Sequence, residues 1–282
     1  MFQADLLKDR CIFLTGGGTG LGRAMAVRMA GLGARIFLAA RREEPLRETS
    51  AAIEKAGGKA AFAVCDVRDP ASVEAAVAAA EKQFGRVDTL INNAAGNFLA
   101  RTEKLSPNAF NAVVGIVLGG TFHCTVTLGK RWIAAKQPGT VLNIVTTYAA
   151  AGSGSGFVVP SACAKAGVLA MTRSLAVEWA RYNIRLNAIA PGPFPTEGAW
   201  SRLIPSKEVE ERAKKYHPMK RFGRPEELAD LAVYLVSEQA AYVNGECVVI
   251  DGGLWLRGAG EFNDMLEIPD TVWEQMEAAR KR

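Results

Sequence analysis

The chain has 282 residues, of which 49 % are apolar and 22 % charged, and 34 basic against 29 acidic side chains give a formal net charge of +5. This composition is typical of a globular protein with a large buried core and excludes a disordered chain. No run approaches the ~18 uncharged apolar residues of a membrane-spanning helix, and the acidic N-terminus lacks the basic start of a signal peptide, so a cytoplasmic location is expected.

Short apolar runs alternate with alanine-rich helical stretches along the chain. In chain order we predict strand Cys11–Thr15, helix Leu21–Leu32, strand Ala34–Ala39, helix Pro45–Ala56, strand Ala60–Cys65, helix Pro70–Phe84, strand Thr89–Asn92, helices Asn108–Gly119 and Thr121–Ala135, strand Val141–Val145, helix Ala162–Arg181, strand Arg185–Ile189, helix Pro225–Ser237 and strand Glu246–Ile250. This alternation predicts right-handed crossovers and a doubly wound parallel sheet with helices on both faces, in a single domain. Nearly continuous apolar strands are expected when both faces of a sheet are covered.

The five cysteines are scattered singly, and the two histidines, His123 and His217, stand far from each other in the sequence. This pattern predicts reduced thiols and no metal site. The mild basic excess suits anionic small molecules such as phosphates and coenzyme A. Because the basic residues are spread along the chain, we expect no nucleic-acid partner.

A glycine-rich turn follows the first predicted strand and opens the first helix. It reads Thr15-Gly16-Gly17-Gly18-Thr19-Gly20-Leu21-Gly22, so Thr-Gly-x-x-x-Gly-x-Gly fits and Gly-x-Gly-x-x-Gly does not. Glycines let the backbone approach a pyrophosphate, and the helix N-terminus offers free N–H groups. The segment therefore predicts a dinucleotide site in a Rossmann-type fold, the alternative being a merely tight turn.

The end of the second predicted strand bears on the choice of cofactor. An acid here would hold the ribose hydroxyl of NAD, but the sequence has Arg41 and Arg42. Arginine binds a 2′-phosphate through charge-assisted hydrogen bonds. We therefore predict NADP(H), the alternative being that both arginines are solvated residues at a helix start.

Together with the glycine turn, three further segments resemble the short-chain dehydrogenase/reductase family. They are Cys65-Asp66-Val67, Asn92-Asn93-Ala94-Ala95-Gly96 and Pro191-Gly192-Pro193, and the resemblance covers the chain from about 10 to 253. It implies a cofactor site formed by Thr15, Gly16, Gly18, Gly20, Leu21, Arg41, Arg42, Asp66, Val67, Asn93, Ala94, Gly96, Lys165, Pro191 and Gly192. It also implies a substrate lid at about 195–224, a tail at 254–282 and a homotetramer built through the last helix and strand.

One position departs from the usual pattern of that family. The family pairs a tyrosine with a lysine four residues later, whereas here Ser161 precedes Lys165. A serine hydroxyl is a far weaker acid than a phenol, whose pKa is about 10. The departure speaks against an ordinary alcohol dehydrogenase or ketoacyl reductase, so either the chemistry differs or the site is silent.

Four segments are similar to the 2,4-dienoyl-CoA reductases within that family: Asn92–Phe98, Gly115–Thr121, Gly154–Ser161 and Pro191–Ala199. The resemblance implies that Asn97 and Tyr148 hold the thioester carbonyl, with Ser161 and Lys165 completing the catalytic set. A short Gly/Ser/Ala insertion at about 149–156 leaves a second alignment open, in which Ala150 takes the tyrosine's place. Tyr148 would then be only an aromatic residue at a strand end.

The resemblance implies NADPH-dependent reduction of a 2,4-dienoyl-CoA to a 3-enoyl-CoA in fatty-acid β-oxidation. Two donors on the thioester oxygen would stabilise the dienolate as an oxyanion hole does. One alternative is reduction of a trans-2-enoyl-CoA or another activated alkene. The other is a catalytically silent NADP-binding scaffold, suggested by Ser161.

Overall fold

The computed structural model describes residues 2–149, 154–196, 206–258 and 263–280. Its seven strands are β1 Cys11–Thr15, β2 Arg35–Ala40, β3 Lys59–Val64, β4 Thr89–Asn92, β5 Gly139–Ile144, β6 Ile184–Pro191 and β7 Cys247–Ile250. All pair in parallel, in the order β3-β2-β1-β4-β5-β6-β7. The predicted doubly wound sheet of a Rossmann-type fold is confirmed. The strand order reverses direction between β1 and β4, where such folds bind ligands.

The helices of the described residues flank this sheet. They are α1 Gly20–Ala30, α2 Glu43–Lys55, α3 Pro70–Phe84, α4 Pro107–Val114, α5 Gly120–Ala134, α6 Val159–Glu178, α7 Lys207–Tyr216, α8 Pro225–Val236, α9 Leu254–Arg257 and α10 Asp270–Arg280. The first six and α8 match predicted helices, with ends that shift by up to three residues, except that α4 ends at Val114, five residues before the predicted end at Gly119. Helices α7, α9 and α10 are not among the predictions.

Capping residues explain why some helices begin at or next to their predicted first residues. The Asp69 side chain accepts a hydrogen bond from the Ala71 amide, and Pro70 opens α3. Ser106 caps α4 in the same way through the amide of Ala109, 3.2 Å away. An oxygen-bearing cap followed by proline satisfies free N–H groups and fixes the first helical residue.

Two apolar layers cover the two faces of the sheet. Helices α1, α2 and α8 bury one face, around Met25, Leu46 and Val233. Helices α3 and α5 bury the other, where Trp132 donates a hydrogen bond to the Val87 carbonyl at 2.7 Å. Burial on both faces explains why the strands are almost entirely apolar.

Helices α4 and α5 form one continuous stretch, Pro107–Ala134, joined by a π-helical turn at Gly115–Gly119. By length and composition, with a mean hydropathy of 1.6, this stretch could cross a membrane. Its Cys124, Leu128 and Trp132 are buried in the core, which is the packing of an internal helix in a globular fold.

Candidate active site

The glycine turn after β1 leaves no room for side chains. A Cβ on Gly22 would lie 2.2 Å from the Gly16 carbonyl oxygen, and one on Gly16 would lie 2.9 Å from Asn93 Nδ2. Gly16 and Gly20 also have positive φ, at 66° and 54°. Only glycine combines that backbone conformation with so close an approach. The turn therefore keeps its backbone bare at the start of α1, as a pyrophosphate site requires.

Thr15 and Asn93 join this turn to the end of β4. Thr15 Oγ1 accepts hydrogen bonds from the amides of Asn93 and Ala94, both at 3.0 Å. In return, Asn93 Nδ2 donates to the carbonyls of Thr15 and Gly16 at 3.1 Å. These bonds fix the two strand ends at which the sheet order reverses.

A cleft of about 960 Å³ opens at this reversal, a size within the range for cofactor sites. The predicted cofactor residues that line it are Gly16, Gly18, Arg41, Arg42, Asp66, Val67, Ala94 and Gly96. The other predicted cofactor residues do not line it; they are Thr15, Gly20, Leu21, Asn93, Lys165, Pro191 and Gly192. The bare turn, the helix N-terminus and the cleft together fit a dinucleotide.

Pro191 and Gly192 lie at the carboxyl end of β6. The Gly192 amide donates to the Ile250 carbonyl at 3.0 Å, and a Cβ on Gly192 would lie 2.6 Å from that of Asp251. This segment is therefore packed tightly on the end of β7. Within the described ranges, no group of three His, Cys, Asp or Glu side chains is placed to hold a metal ion.

The charged side chains of the cleft stand just after the ends of β2 and β3. Arg41 and Arg42 are exposed on its wall. Asp66 receives hydrogen bonds from the Arg68 guanidinium, with Nε 3.0 Å from both carboxylate oxygens. These bonds lower the pKa of Asp66 below its usual value, so the carboxylate is charged. Arg68, which the sequence analysis missed, offsets that negative charge and leaves the wall positive.

Three predicted catalytic residues meet although they are far apart in the sequence. Tyr148 lies in a 3₁₀ turn, Thr147–Ala149, directly after β5. Its phenol oxygen is 2.9 Å from Ser161 Oγ and 3.3 Å from Asn97 Nδ2. Tyr148 is thus held between Ser161 and Asn97, while residues 150–153 of the proposed insertion, including Ala150, lie outside the described residues.

The amide of Asn97 has a fixed orientation. Its Oδ1 accepts a hydrogen bond from the Phe98 amide at 2.9 Å, which leaves the N–H groups of Nδ2 facing Tyr148. Two residues further, the Ala100 amide donates to the Phe157 carbonyl at 2.9 Å. Phe157 has a φ of 67°, a strained conformation for an aromatic residue. The loop that carries Asn97 is therefore tied to the segment that leads into Ser161.

Lys165 lies one helical turn after Ser161 on α6. Its ammonium group is buried and donates to the Ile144 carbonyl at the end of β5. Burial lowers the pKa of Lys165 to about 8, because the charged form loses its hydration. A buried, perturbed lysine beside an asparagine, a tyrosine and a serine is the arrangement expected of a catalytic centre.

Comparison with known proteins agrees with this geometry. The family model described as enoyl-(acyl carrier protein) reductase matches residues 16–255. A solved short chain dehydrogenase from Bacillus anthracis is 44 % identical, with a TM-score of 0.80 over 88 % of this chain and 97 % of that one. The chain belongs to the short-chain dehydrogenase/reductase family. Members of this family are oxidoreductases, and a nicotinamide cofactor belongs in the cleft. Another solved member, actinorhodin polyketide ketoreductase with NADPH, is 31 % identical, with a TM-score of 0.83 over 90 % of this chain and 99 % of that one.

Two curated relatives are also similar over most of the chain. A probable 2,4-dienoyl-CoA reductase of Bacillus subtilis, named as (2E)-enoyl-CoA-producing, is 46 % identical over 89 % of this chain and 98 % of its own length. Probable 2,4-dienoyl-CoA reductase 3 of Caenorhabditis elegans, named as (3E)-enoyl-CoA-producing, is 45 % identical over 88 % of this chain and 81 % of its own length. The two names agree on the substrate and differ in the position of the product double bond.

Proposed function

We propose that the protein reduces 2,4-dienoyl-CoA thioesters to 3-enoyl-CoA with NADPH. One observation carries the proposal: Asn97 Nδ2 and the Tyr148 hydroxyl converge, 3.3 Å apart, beside Ser161. Two neutral donors side by side suit a thioester oxygen that becomes negative during reduction. The names of the two curated relatives support the same substrate class.

The chemistry divides between cofactor and protein. A reduced nicotinamide supplies a hydride when bound, and the far end of the diene accepts it. The electron pairs then shift toward the thioester oxygen, giving a dienolate. Asn97 and Tyr148 stabilise that charge, each donor contributing about 3 kcal/mol by analogy with oxyanion holes. Because Oδ1 of Asn97 accepts a hydrogen bond from the backbone amide of Phe98, the side-chain amide of Asn97 presents its N–H groups, and not its oxygen, to the dienolate.

Ser161 and Lys165 support the two donors. Ser161 Oγ is 2.9 Å from the phenol oxygen and can donate to it when Tyr148 donates to substrate. Lys165 places a buried positive charge behind them and can hold the nicotinamide ribose. A tyrosine supplied from the end of β5 thus takes the place of the family's usual helix tyrosine.

The site of protonation decides the product. A proton on the α carbon of the dienolate leaves a 3-enoyl thioester, whereas a proton on the γ carbon leaves a 2-enoyl thioester. Both paths use the same hydride and the same oxyanion stabilisation. We propose α protonation, from solvent. The γ route is the second candidate because the B. subtilis relative is named for the 2E product.

Arg41 and Arg42 favour NADP(H) over NAD(H) in this proposal. Both line the cleft, and both side chains are exposed and able to reach a 2′-phosphate. The lid at 195–224, of which residues 197–205 lie outside the described residues, would cover the acyl-CoA. Assembly as a homotetramer and a cytoplasmic location complete the proposal.

NADPH oxidation by the purified protein with trans-2,trans-4-decadienoyl-CoA tests the function. Consumption that depends on this substrate supports it, and a matched assay with trans-2-decenoyl-CoA measures the alternative enoyl-CoA reductase activity. Tight NADPH binding without turnover of either thioester would instead support a silent scaffold. Product analysis in deuterated water separates the two routes, because label at C2 marks α protonation and label at C4 marks γ protonation.

A further inference from the structure

Arg257, the last residue of α9, is buried although it is charged. Only 6 % of its side chain is exposed. Its guanidinium stacks on the Tyr216 ring with 4.1 Å to the centroid and donates to the Tyr216 carbonyl. It also donates to Glu267 Oε1 at 2.9 Å. One arginine thus joins the end of α7 to the C-terminal segment.

The turn that follows α7 is held from the same side. Glu267 lies 3.6 Å from Lys220 Nζ, and Lys220 in turn donates to the Lys215 carbonyl at 2.9 Å. Lys220 has a φ of 53°, a conformation that a lysine adopts only where surrounding contacts hold it. Arg257 and Glu267 therefore fasten both ends of a short turn.

The base of this turn packs into the body of the fold. His217 is only 2 % exposed, and its Cε1 would lie 2.7 Å from a Cβ on Gly252. Phe222 meets the His217 ring edge to face at 6.3 Å. Helix α7 is thus anchored on the turn that follows β7.

Both ends of the segment containing α7 reach the cofactor side of the sheet. The outgoing chain leaves β6 at Pro191, and Thr196 lies against Gly20 of the glycine turn, 3.3 Å from the position of its Cβ. The returning chain closes onto it, since the Gly223 amide donates to the Pro193 carbonyl at 3.1 Å. The chain that returns from α7 is therefore in contact with the residues that pack on the glycine turn.

We infer that Arg257 is a positioning residue for the acyl-CoA substrate, because it fixes the segment 206–223 against the body of the protein, next to the residues that pack on the glycine turn. The inference rests on the proposed function for the identity of the substrate. The geometry favours arginine because a planar guanidinium can stack and donate in two directions at once, whereas an ammonium group cannot. Ordering this segment before the thioester arrives lowers the entropy lost on binding.

The test compares Arg257→Ala with a matched control. Arg28 makes the same two kinds of contact, an ion pair with Asp230 at 2.6 Å and a cation–π contact with Phe2 at 5.8 Å, but it joins α1 to α8. We expect Arg257→Ala to raise the KM for decadienoyl-CoA about tenfold and to change kcat less than about twofold. Arg28→Ala should leave both constants within about twofold. Glu267→Ala should raise KM in the same direction, and Arg257→Lys should recover only part of the loss.

A second readout needs no substrate. Trypsin cleavage after Lys214 and Lys215, followed by mass spectrometry, reports how firmly α7 is held. Cleavage that is about tenfold faster in Arg257→Ala than in Arg28→Ala supports the role of Arg257 in fixing the segment 206–223, even if the wild type reduces no dienoyl thioester. Equal cleavage rates, or equal KM values in the two variants of an active enzyme, would overturn it.

Discussion

The phenol oxygen of Tyr148 lies 2.9 Å from the hydroxyl oxygen of Ser161, although the two residues reach the site from different elements. Tyr148 comes from the end of β5, and Ser161 stands on α6 one turn before Lys165. The phenol of the site therefore belongs to the loop and only a serine to the helix. That exchange suits stabilisation of a thioester oxygen better than proton delivery to an alcohol.

Removing the Tyr148 hydroxyl should impair turnover more than removing that of Ser161. We expect Tyr148→Phe to lower kcat about 100-fold, the cost of one oxyanion donor, and Ser161→Ala to lower it about tenfold. Steady-state NADPH oxidation with decadienoyl-CoA measures both. Tyr182→Phe, four residues beyond the opposite end of α6, is the control and should be unaffected. Equal losses in the two variants would mean that Ser161 contacts substrate itself.

Asn97 offers a shape-preserving test. Asn97→Asp keeps the volume but replaces the amide donor with a carboxylate that repels a dienolate. We expect kcat to fall at least about 100-fold while the Kd for NADPH changes less than about threefold. Fluorescence titration gives the Kd, and stopped-flow oxidation gives the rate. A rate near that of the wild type would remove Asn97 from the oxyanion site.

The sheet could be predicted from the sequence because burial on both faces leaves a strong signal. Cys11–Thr15, Pro70–Phe84 and Thr89–Asn92 have the predicted bounds, since apolar runs end there at caps and turns. The π turn Gly115–Gly119 has no such signal, because a single wider turn is too short to alter the apolar pattern of the helix recognisably. Helix α7 is polar overall and has only a narrow apolar stripe of Val209, Ala213 and Tyr216, although Ser206, which caps the Val209 amide at 3.3 Å, could have marked its start.

The candidate site divides in the same way. The glycine turn is local, so its residues and spacing suffice to predict it. The meeting of Asn97 with Tyr148 depends on how two loops fold over the sheet, and the sequence placed Tyr148 there only by resemblance. Arg68 was missed because its role comes from a neighbour in space, the carboxylate of Asp66.

Crowding in the glycine turn predicts a sharp effect at Gly22. Gly22→Ala would place a methyl group 2.2 Å from the Gly16 carbonyl oxygen, so the backbone of the turn must shift. We expect a loss of about 1–3 kcal/mol in the free energy of unfolding and at least about tenfold weaker NADPH binding. Gly31→Ala, at the other end of α1, is the control because its Cβ would meet no atom closer than 3.5 Å and its φ is −63°. Equal effects of the two variants would contradict this account of the turn.

The arginines at the end of β2 should decide cofactor preference. A charge-assisted hydrogen bond contributes about 1.5–3 kcal/mol, so Arg41→Ala or Arg42→Ala should weaken NADPH binding about 10- to 100-fold. Binding of NADH, which lacks the 2′-phosphate, should hardly change. Parallel titrations with both cofactors give the ratio, and Arg47→Ala, an exposed arginine paired with Glu43, serves as control. If the binding of NADPH and the binding of NADH weaken equally, the two arginines do not bind the 2′-phosphate.

Lys165 carries a stability cost that depends on pH. Burial lowers its pKa from 10.5 to about 8, which corresponds to roughly 3 kcal/mol against the charged form in the folded protein. Between pH 8 and pH 10.5 the unfolded chain binds more protons at this site than the folded one. The cost is therefore complete below pH 8 and disappears as the pH rises through that window.

Lys165→Met should consequently stabilise the protein while abolishing its activity. The variant loses the hydrogen bond to the Ile144 carbonyl, which destabilises the folded protein by about 1 kcal/mol. The free energy of unfolding should therefore rise by on the order of 2 kcal/mol at pH 7 without cofactor. At about pH 10 most of that gain should vanish, because the wild-type lysine is then neutral in the folded state. Urea unfolding at the two pH values measures the difference, with the exposed Lys130→Met as control. A gain of the same size at both pH values would mean that the folded and unfolded chains bind the proton of Lys165 equally, so that burial does not lower the pKa of this lysine.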